Sequence, residues 1–210
     1  MKKHHVCPWW LAYTFDNPLR RFIHRPDAMF HGLVEEGMTV MDAGCGMGYF
    51  SIGLARIVGP RGRVIAVDLQ PRMLDILRKR AEKAGVADRI RIHQSEASSL
   101  GIQAKTDFIL AFWMVHETPD ASSFFREIVS LLHPGGKLLI AEPRLHVSAE
   151  RFQEILLAAG DAGLRIAARP RIALSRAAVL TPNDQHDGRK NSGPVGLNSR
   201  ALDSPETHYP

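Results

Sequence analysis

Short apolar runs alternate with amphipathic stretches between residues 39 and 143. The runs predict strands at 39–43, 63–68, 90–94, 108–114 and 137–141, of which 63–68 is apolar enough to be buried on both faces and 90–94 alternates apolar and polar residues. The stretches repeat apolar residues at helical spacing and predict helices at 50–58, 71–84, 121–132 and 148–162. This alternation predicts a doubly wound α/β domain, in which helices cover both faces of a parallel sheet.

The end of this pattern differs from the rest. Residues 164–169 and 174–181 predict two strands around Pro170, with no room for a crossover helix between them, so they should pair as an antiparallel hairpin. We therefore expect a mostly parallel seven-stranded sheet with a C-terminal antiparallel hairpin. The predicted organisation is an N-terminal lid or cap at 1–36, the α/β domain at 37–182, and a disordered tail at 183–210.

Composition narrows the class of protein. The 210 residues are 45% hydrophobic and 23% charged, as in an ordinary single globular domain. Cys7 and Cys45 form neither a disulfide framework nor a metal-ligand spacing, which predicts a cytoplasmic protein without a bound metal. The apolar run near the start is too short for a signal peptide or a membrane span. The net charge of +5 is modest, and it is more typical of a protein with a solvated basic face than of one that binds an acidic partner.

A glycine-rich turn follows the first predicted strand and is the strongest motif in the sequence. Gly44, Gly46 and Gly48 allow a sharp turn and close approach of a ligand to the backbone, at the carboxyl end of the strands where open α/β sheets bind ligands. Asp68 ends the next strand, where a carboxylate can accept hydrogen bonds from both ribose hydroxyls of a nucleoside. A dinucleotide motif would need glycine where Tyr49 stands, which argues against a nicotinamide dehydrogenase.

The D-x-G-x-G-x-G sequence from Asp42 to Gly48 resembles the first motif of the class I S-adenosylmethionine-dependent methyltransferases. The resemblance continues at 95–97, 107–115 and 133–137, and covers roughly residues 37–182. It implies a Rossmann-like sheet and S-adenosylmethionine as the cofactor, with Glu96 where the family more often has aspartate. The cofactor-binding residues that it implies are Asp42, Gly44, Cys45, Gly46, Gly48, Asp68, Leu69, Glu96, Ala97 and Phe112.

Methyl transfer from a sulfonium needs alignment and exclusion of water more than it needs a nucleophilic residue. Where the acceptor must lose a proton, His116 is the candidate base, because its ordinary pKa lies near neutrality. Glu142 leaves the fifth strand towards the same crevice, and Trp10 and Tyr13 are candidates for a lid over the substrate. The alternatives are that His116 and Glu142 cap loops and that the aromatic residues serve ordinary packing.

We expect a small-molecule acceptor, because one compact domain leaves little sequence for recognising a macromolecule. Methylation of RNA or protein is the second hypothesis, favoured by the basic N-terminal stretch. The sequence Ala111-Phe112-Trp113-Met114 argues against it, since amino-methylating nucleic-acid enzymes carry Asn/Asp-Pro-Pro-aromatic there. A third hypothesis is a protein that binds the cofactor without turnover. The sequence does not predict the oligomeric state.

Overall fold

A computed structural model describes residues 20–183 as a seven-stranded sheet between two helical layers. The strands are β1 (Thr39–Ala43), β2 (Arg63–Asp68), β3 (Ile90–Gln94), β4 (Thr106–Phe112), β5 (Leu132–Pro143), β6 (Leu164–Ala168) and β7 (Ser175–Pro182). The helices are α1 (Arg20–Ile23), α2 (Pro26–Met29), α3 (Tyr49–Val58), α4 (Pro71–Lys83), α5 (Ala121–Leu131) and α6 (Ala149–Asp161), with single 3₁₀ turns at Ala87–Arg89 and Val115–Glu117.

The strand order is β3-β2-β1-β4-β5-β7-β6. The five strands from β3 to β5 are parallel, whereas β7 pairs antiparallel with both β5 and β6. The predicted fold class, including the closing hairpin, is confirmed. The carboxyl ends of the parallel strands lie together at one edge of the sheet, which we call the carboxyl edge. The strand order reverses its direction between β1 and β4, and such a reversal opens a crevice at this edge.

The core lies on both faces of the sheet, because neighbouring strand residues point to opposite sides. On β1, Val40 packs towards α3 and α4, and Met41 packs towards α5 and α6. Both side chains are fully buried, which explains why the strand sequence is continuously apolar rather than alternating.

The bounds of β4 to β7 differ from the predicted ones, and two of these differences have a clear structural cause. β4 ends at Phe112 rather than at 114, because Trp113 turns the chain with a φ of 58°. β5 begins at Leu132 rather than at 137, since the Pro134-Gly135-Gly136 run belongs to the strand instead of forming a turn before it. The register shift in the β4–β5 ladder absorbs these extra residues, and an irregular position tolerates a proline without an N–H.

The described part of the N-terminal segment reaches the carboxyl edge and also crosses one face of the sheet. His24 is buried at that edge, and its Nε2 lies 2.8 Å from the Ala173 carbonyl oxygen. Phe30 then packs on Phe50 and Phe108 beside α3, with ring centroids 5.7 and 5.9 Å away. The segment therefore completes the helical layer on this face of the sheet.

Residues 1–19 and 184–210 lie outside the described residues, so the lid and the disordered tail remain predictions. Among the described helices, none combines the length and the apolar character that crossing a membrane requires.

Candidate functional site

Backbone hydrogen bonds tie the glycine turn to β2. The N–H groups of Gly44 and Cys45 both donate to the Val67 carbonyl oxygen, at 2.8 and 2.9 Å. Gly48 then precedes the first turn of α3 with a φ of 82°, in the left-handed region that favours glycine. The turn is therefore fixed at both ends, at the carboxyl edge of β1.

The three glycines of the motif have different surroundings. A Cβ atom on Gly44 would lie 2.8 Å from the Met114 Cβ, and one on Gly48 would lie 2.0 Å from the Leu77 Cδ1. A Cβ atom on Gly46 would meet nothing within 4 Å. Gly44 and Gly48 thus permit close packing inside the protein, and of the three only Gly46 borders open space that a ligand can enter.

Asp68 fixes the open part of the turn. Its Oδ2 accepts a hydrogen bond from the Gly46 N–H at 2.8 Å, and its Oδ1 accepts one from the Gln70 N–H at 2.9 Å. Burial raises the pKa of the Asp68 carboxyl, while the N–H groups of Gln70, Gly46 and Leu69 act against that rise. Each carboxylate oxygen can accept a second hydrogen bond, so the group retains capacity for a polyhydroxyl ligand.

Asp42 and Cys45 lie beneath the turn. Asp42 is buried and accepts a hydrogen bond from the Ser51 Oγ at 2.6 Å, which joins β1 to the first turn of α3. Cys45 is also buried, and burial raises the pKa of its thiol, with the charges of Asp42 and Asp68 adding to the rise. The thiol is therefore protonated and poorly nucleophilic at neutral pH.

The other predicted cofactor residues lie around the same end of the sheet. Glu96 and Ala97 are exposed in the loop after β3, which the Ser95 N–H joins to the Asp68 carbonyl oxygen at 3.1 Å. Leu69 is half-buried directly after β2, and Phe112 is buried at the end of β4. The structure thus brings all ten predicted cofactor residues to the carboxyl edge, and their roles in binding remain predictions.

His116 and Glu142 form a hydrogen-bonded pair on the other side of the crevice. The pair joins the His116 Nδ1 to the Glu142 Oε2, and the Glu142 Oε1 accepts a hydrogen bond from the Val115 N–H at 2.9 Å. Glu142 was predicted to face the crevice, but its side chain has no exposed surface and instead lies buried against His116.

The protonation of His116 reflects two opposing influences. Burial lowers the pKa of the imidazole, but the hydrogen bond and charge of Glu142, together with the charge of Glu117, outweigh it. The pKa of His116 is therefore raised above its ordinary value. The Nε2 lies 3.9 Å from the Glu117 Oε1, beyond hydrogen-bond distance.

Trp113, His24 and Tyr49 were not predicted to belong to the site, but they form contacts beside the predicted residue Phe112. The Trp113 Nε1 donates to the Ser175 Oγ at 2.9 Å, and the ring stacks on Phe112 with centroids 5.1 Å apart. The His24 ring meets Trp113 edge-on at 5.5 Å, and the Tyr49 hydroxyl donates to the His24 carbonyl oxygen at 2.9 Å. Apart from the stacking of the adjacent residues Phe112 and Trp113, these contacts join distant parts of the chain, so no local sequence signal could have revealed them. Trp10 and Tyr13 lie outside the described residues.

No cluster of three or more His, Cys, Asp or Glu side chains suited to a metal ion occurs between residues 20 and 183.

Known proteins resemble this chain in sequence. A ubiquinone biosynthesis O-methyltransferase of Methylocella silvestris is 37% identical over 140 residues, which cover 66% of this chain and 53% of the relative. A demethylmenaquinone methyltransferase of Lactobacillus johnsonii is 33% identical over 110 residues, which cover 52% of this chain and 45% of the relative. The matched region thus spans about half the length of these relatives.

A solved structure and a family model agree with these matches. The structure of an S-adenosylmethionine-dependent methyltransferase from Aquifex aeolicus superimposes with a TM-score of 0.74 at 24% identity, covering 82% of this chain and 97% of that one. At that identity the superposition shows the shared fold. The family model for a methyltransferase domain matches residues 34–163, from just before β1 to the end of α6. The chain therefore belongs to this methyltransferase domain family.

Proposed function

We propose that the protein transfers a methyl group from S-adenosylmethionine to a small-molecule acceptor. The observation that carries this proposal is the Asp68 carboxylate, which fixes the turn at Gly46 while that glycine borders open space. Membership of the methyltransferase family gives this arrangement its chemical meaning. The family's fold alone would not, because one fold supports many activities.

The residues around the glycine turn fit the proposed cofactor. Asp68 would accept hydrogen bonds from the ribose hydroxyls of the cofactor, and Gly46 would allow close approach of its methionine part. Glu96 would accept a hydrogen bond from the adenine amino group. The remaining contacts would come from Asp42, Gly44, Cys45, Gly48, Leu69, Ala97 and Phe112. When bound, S-adenosylmethionine supplies a methyl group activated by its sulfonium charge.

On the acceptor side, His116 would serve as the proton acceptor. Its Nδ1 is engaged by Glu142, so the Nε2 is the nitrogen that would take a proton from the acceptor. Glu142 orients the ring and stabilises the imidazolium that results. Because Glu142 is buried, we assign it a positioning role through His116 rather than contact with the acceptor. Trp10 and Tyr13 remain our candidates for covering the acceptor.

The proton-accepting pair favours an acceptor with an ionisable hydroxyl group or an acidic C–H bond. The relatives named above are an O-methyltransferase of ubiquinone biosynthesis and a demethylmenaquinone methyltransferase. We therefore propose a hydroxylated aromatic or quinone-like compound as the acceptor class. RNA or protein methylation is the second candidate, and saturable, salt-sensitive retention on RNA would support it.

Calorimetric titration with S-adenosylmethionine and, separately, with NADH tests the proposed cofactor. The variant Asp68→Asn keeps the size of the side chain but removes its charge and one of its acceptor oxygens. We expect S-adenosylmethionine to bind the native protein in the micromolar range, NADH not to bind, and the variant to lose affinity about ten- to a hundredfold.

Asp75→Asn is the matched control, because Asp75 is exposed on α4 and forms an ion pair with Arg78 at the surface. It should bind like the native protein. Absence of S-adenosylmethionine binding to folded native protein would refute the proposal. Binding that is followed by no methyl transfer to any hydroxylated aromatic acceptor would favour the non-catalytic alternative.

A further inference from the structure

Three described segments meet at the carboxyl edge beyond β5, next to the Trp113–Ser175 contact. They are 22–25, 144–146 and 169–174, which we call the apolar rim. The His24 Nε2 lies 2.8 Å from the Ala173 carbonyl oxygen, and the Arg144 N–H donates to the Leu174 carbonyl oxygen at 2.9 Å. These bonds hold the three segments together as one surface beside the crevice.

Exposed apolar side chains concentrate on this rim. Six large hydrophobic residues are exposed in the described part of the chain, and four of them lie here. They are Leu145 (92% exposed), Phe22 (79%), Leu174 (56%) and Ile23 (37%). The other two, Leu157 on α6 and Ile166 on β6, lie outside the three segments. Clustering of this kind marks a surface that contacts an apolar partner.

Leu174 combines an unfavourable backbone conformation with an exposed side chain. Its φ is 59°, in the left-handed region where a side chain with a Cβ is strained and asparagine or glycine is favoured. More than half of its surface nevertheless faces solvent, so burial does not compensate for this strain. Neither the backbone conformation nor burial therefore favours a leucine at this position.

The charge of the rim is uniformly positive. Exposed arginines are present in all three segments, and none of the segments contains Asp or Glu. The exposed arginines are Arg25, Arg144, Arg169 and Arg171. Exposed apolar side chains among arginines are typical of surfaces that insert into the headgroup layer of an anionic bilayer. Single-stranded RNA is a poorer match, since leucine offers no aromatic face for base stacking.

We propose that the apolar rim docks this protein on the surface of an anionic phospholipid bilayer. The four apolar side chains would enter the headgroup region, and the arginines would pair with lipid phosphates. Because the rim adjoins Trp113 and the His116–Glu142 pair, docking would bring the crevice close to compounds dissolved in the bilayer. This inference concerns binding only, so it can fail or hold independently of methyl transfer.

Flotation of the full chain, without cofactor, on vesicles of phosphatidylcholine with phosphatidylglycerol tests the proposal. The variant Leu145→Ser/Leu174→Asn removes two apolar side chains and gives position 174 a residue suited to its φ. We expect the native protein to bind these vesicles and not vesicles of phosphatidylcholine alone. We expect the variant's affinity to fall about tenfold or more, at an unchanged or higher melting temperature.

Leu157→Ser is the matched control, since it removes an exposed leucine from outside the rim and should bind like the native protein. Arg169→Glu/Arg171→Glu should also weaken binding, and salt at about 0.5 M should do the same. Failure of the native protein to bind anionic vesicles would overturn the proposal, as would equal binding by Leu145→Ser/Leu174→Asn.

Three further outcomes would assign the rim to another occupant and overturn the proposal. Retention of single-stranded RNA without vesicle binding would indicate a nucleic acid. A dimer in sedimentation that dissociates in Leu145→Ser/Leu174→Asn would indicate a second copy of the chain. A clear drop of that variant's melting temperature would indicate cover by the chain itself, from residues 1–19.

Discussion

The two halves of the carboxyl edge are built by different means. On the β1–β2 side, the site consists of backbone groups from one turn, and a single side chain, Asp68, holds the open part of that turn. On the β4–β5–β7 side, the site consists of side chains brought together from segments far apart in sequence, as in the contacts of His116 with Glu142 and of Trp113 with Ser175.

Because of this difference, the two halves differ in the amino-acid substitutions that they can tolerate. A turn made of positive-φ glycines and close contacts leaves little room for substitution, because a Cβ atom changes both the backbone and its neighbours. A cluster of side chains can change one member while the strands beneath it stay in place. We therefore expect substitutions in the first half to affect both ligand binding and the stability of the fold. Substitutions in the second half should affect reactivity with less effect on stability.

Gly48→Ala should have the largest effect on stability. The new Cβ would lie 2.0 Å from the Leu77 Cδ1 in a backbone with a φ of 82°, so both overpacking and backbone strain act against the fold. We expect the free energy of unfolding to fall by about 2–4 kcal/mol, measured by urea denaturation.

Gly46→Ala is the comparison variant, since its Cβ would meet nothing within 4 Å at a φ of 52°. We expect it to lose only about 1 kcal/mol of stability and most of its affinity for S-adenosylmethionine. If Gly48→Ala were no less stable than Gly46→Ala, the distinction between a packing glycine and a ligand-facing glycine would be wrong.

Glu142→Gln should have the next largest effect, and it should act mainly on reactivity. Removing the carboxylate leaves burial as the main influence on the imidazole, so the pKa of His116 should fall. The acid limb of the pH profile of kcat/KM should then move to lower pH, and kcat should fall about ten- to a hundredfold. NMR titration of His116 provides the independent measurement.

The same pair links pH to stability. Because the pKa of His116 is raised in the folded protein, its contribution to stability is complete below the unfolded value of about 6.5 and is lost as pH rises through the folded value. Glu142→Gln should therefore reduce this pH dependence. Glu36→Gln, which alters the exposed ion pair with Arg61, should leave both the profile and the His116 titration unchanged.

Trp113→Phe should have the smallest effect of the three. It removes the hydrogen bond from the Trp113 Nε1 to the Ser175 Oγ but keeps an aromatic ring to stack on Phe112. We expect a loss of about 1 kcal/mol in urea denaturation. Adding Ser175→Ala completes a double-mutant cycle, and strictly additive losses would show that the two side chains are not coupled.

The first half of the edge could be predicted from sequence because its determinants are local. The alternation of strands and helices, the positions of β1 and β2, and the placement of Asp68 beside the glycine turn all follow from short-range patterns. The motif did not reveal which glycine faces a ligand. That distinction depends on Met114 and Leu77, which approach the turn from other elements.

The second half could be predicted only as a set of candidates. His116 and Glu142 were both expected near the crevice, but nothing local indicates that the carboxylate would be buried beneath the imidazole. The turn at Trp113 and the early start of β5 depend on the pairing of β4 with β5 and on the Trp113 contact with β7. Such contacts override local preferences and become visible only in the assembled fold.

The double engagement of Asp68 has a thermodynamic consequence. Its two oxygens already hold the N–H groups of Gly46 and Gln70, so the backbone that follows β1 and the backbone that follows β2 are both ordered when the chain folds. Fixing one residue's backbone costs about 1–2 kcal/mol of conformational entropy, and here that cost falls on folding rather than on association. A ligand that enters beside Gly46 therefore meets a preorganised surface. Its binding free energy then reflects its contacts with that surface, with little loss of conformational entropy in the protein.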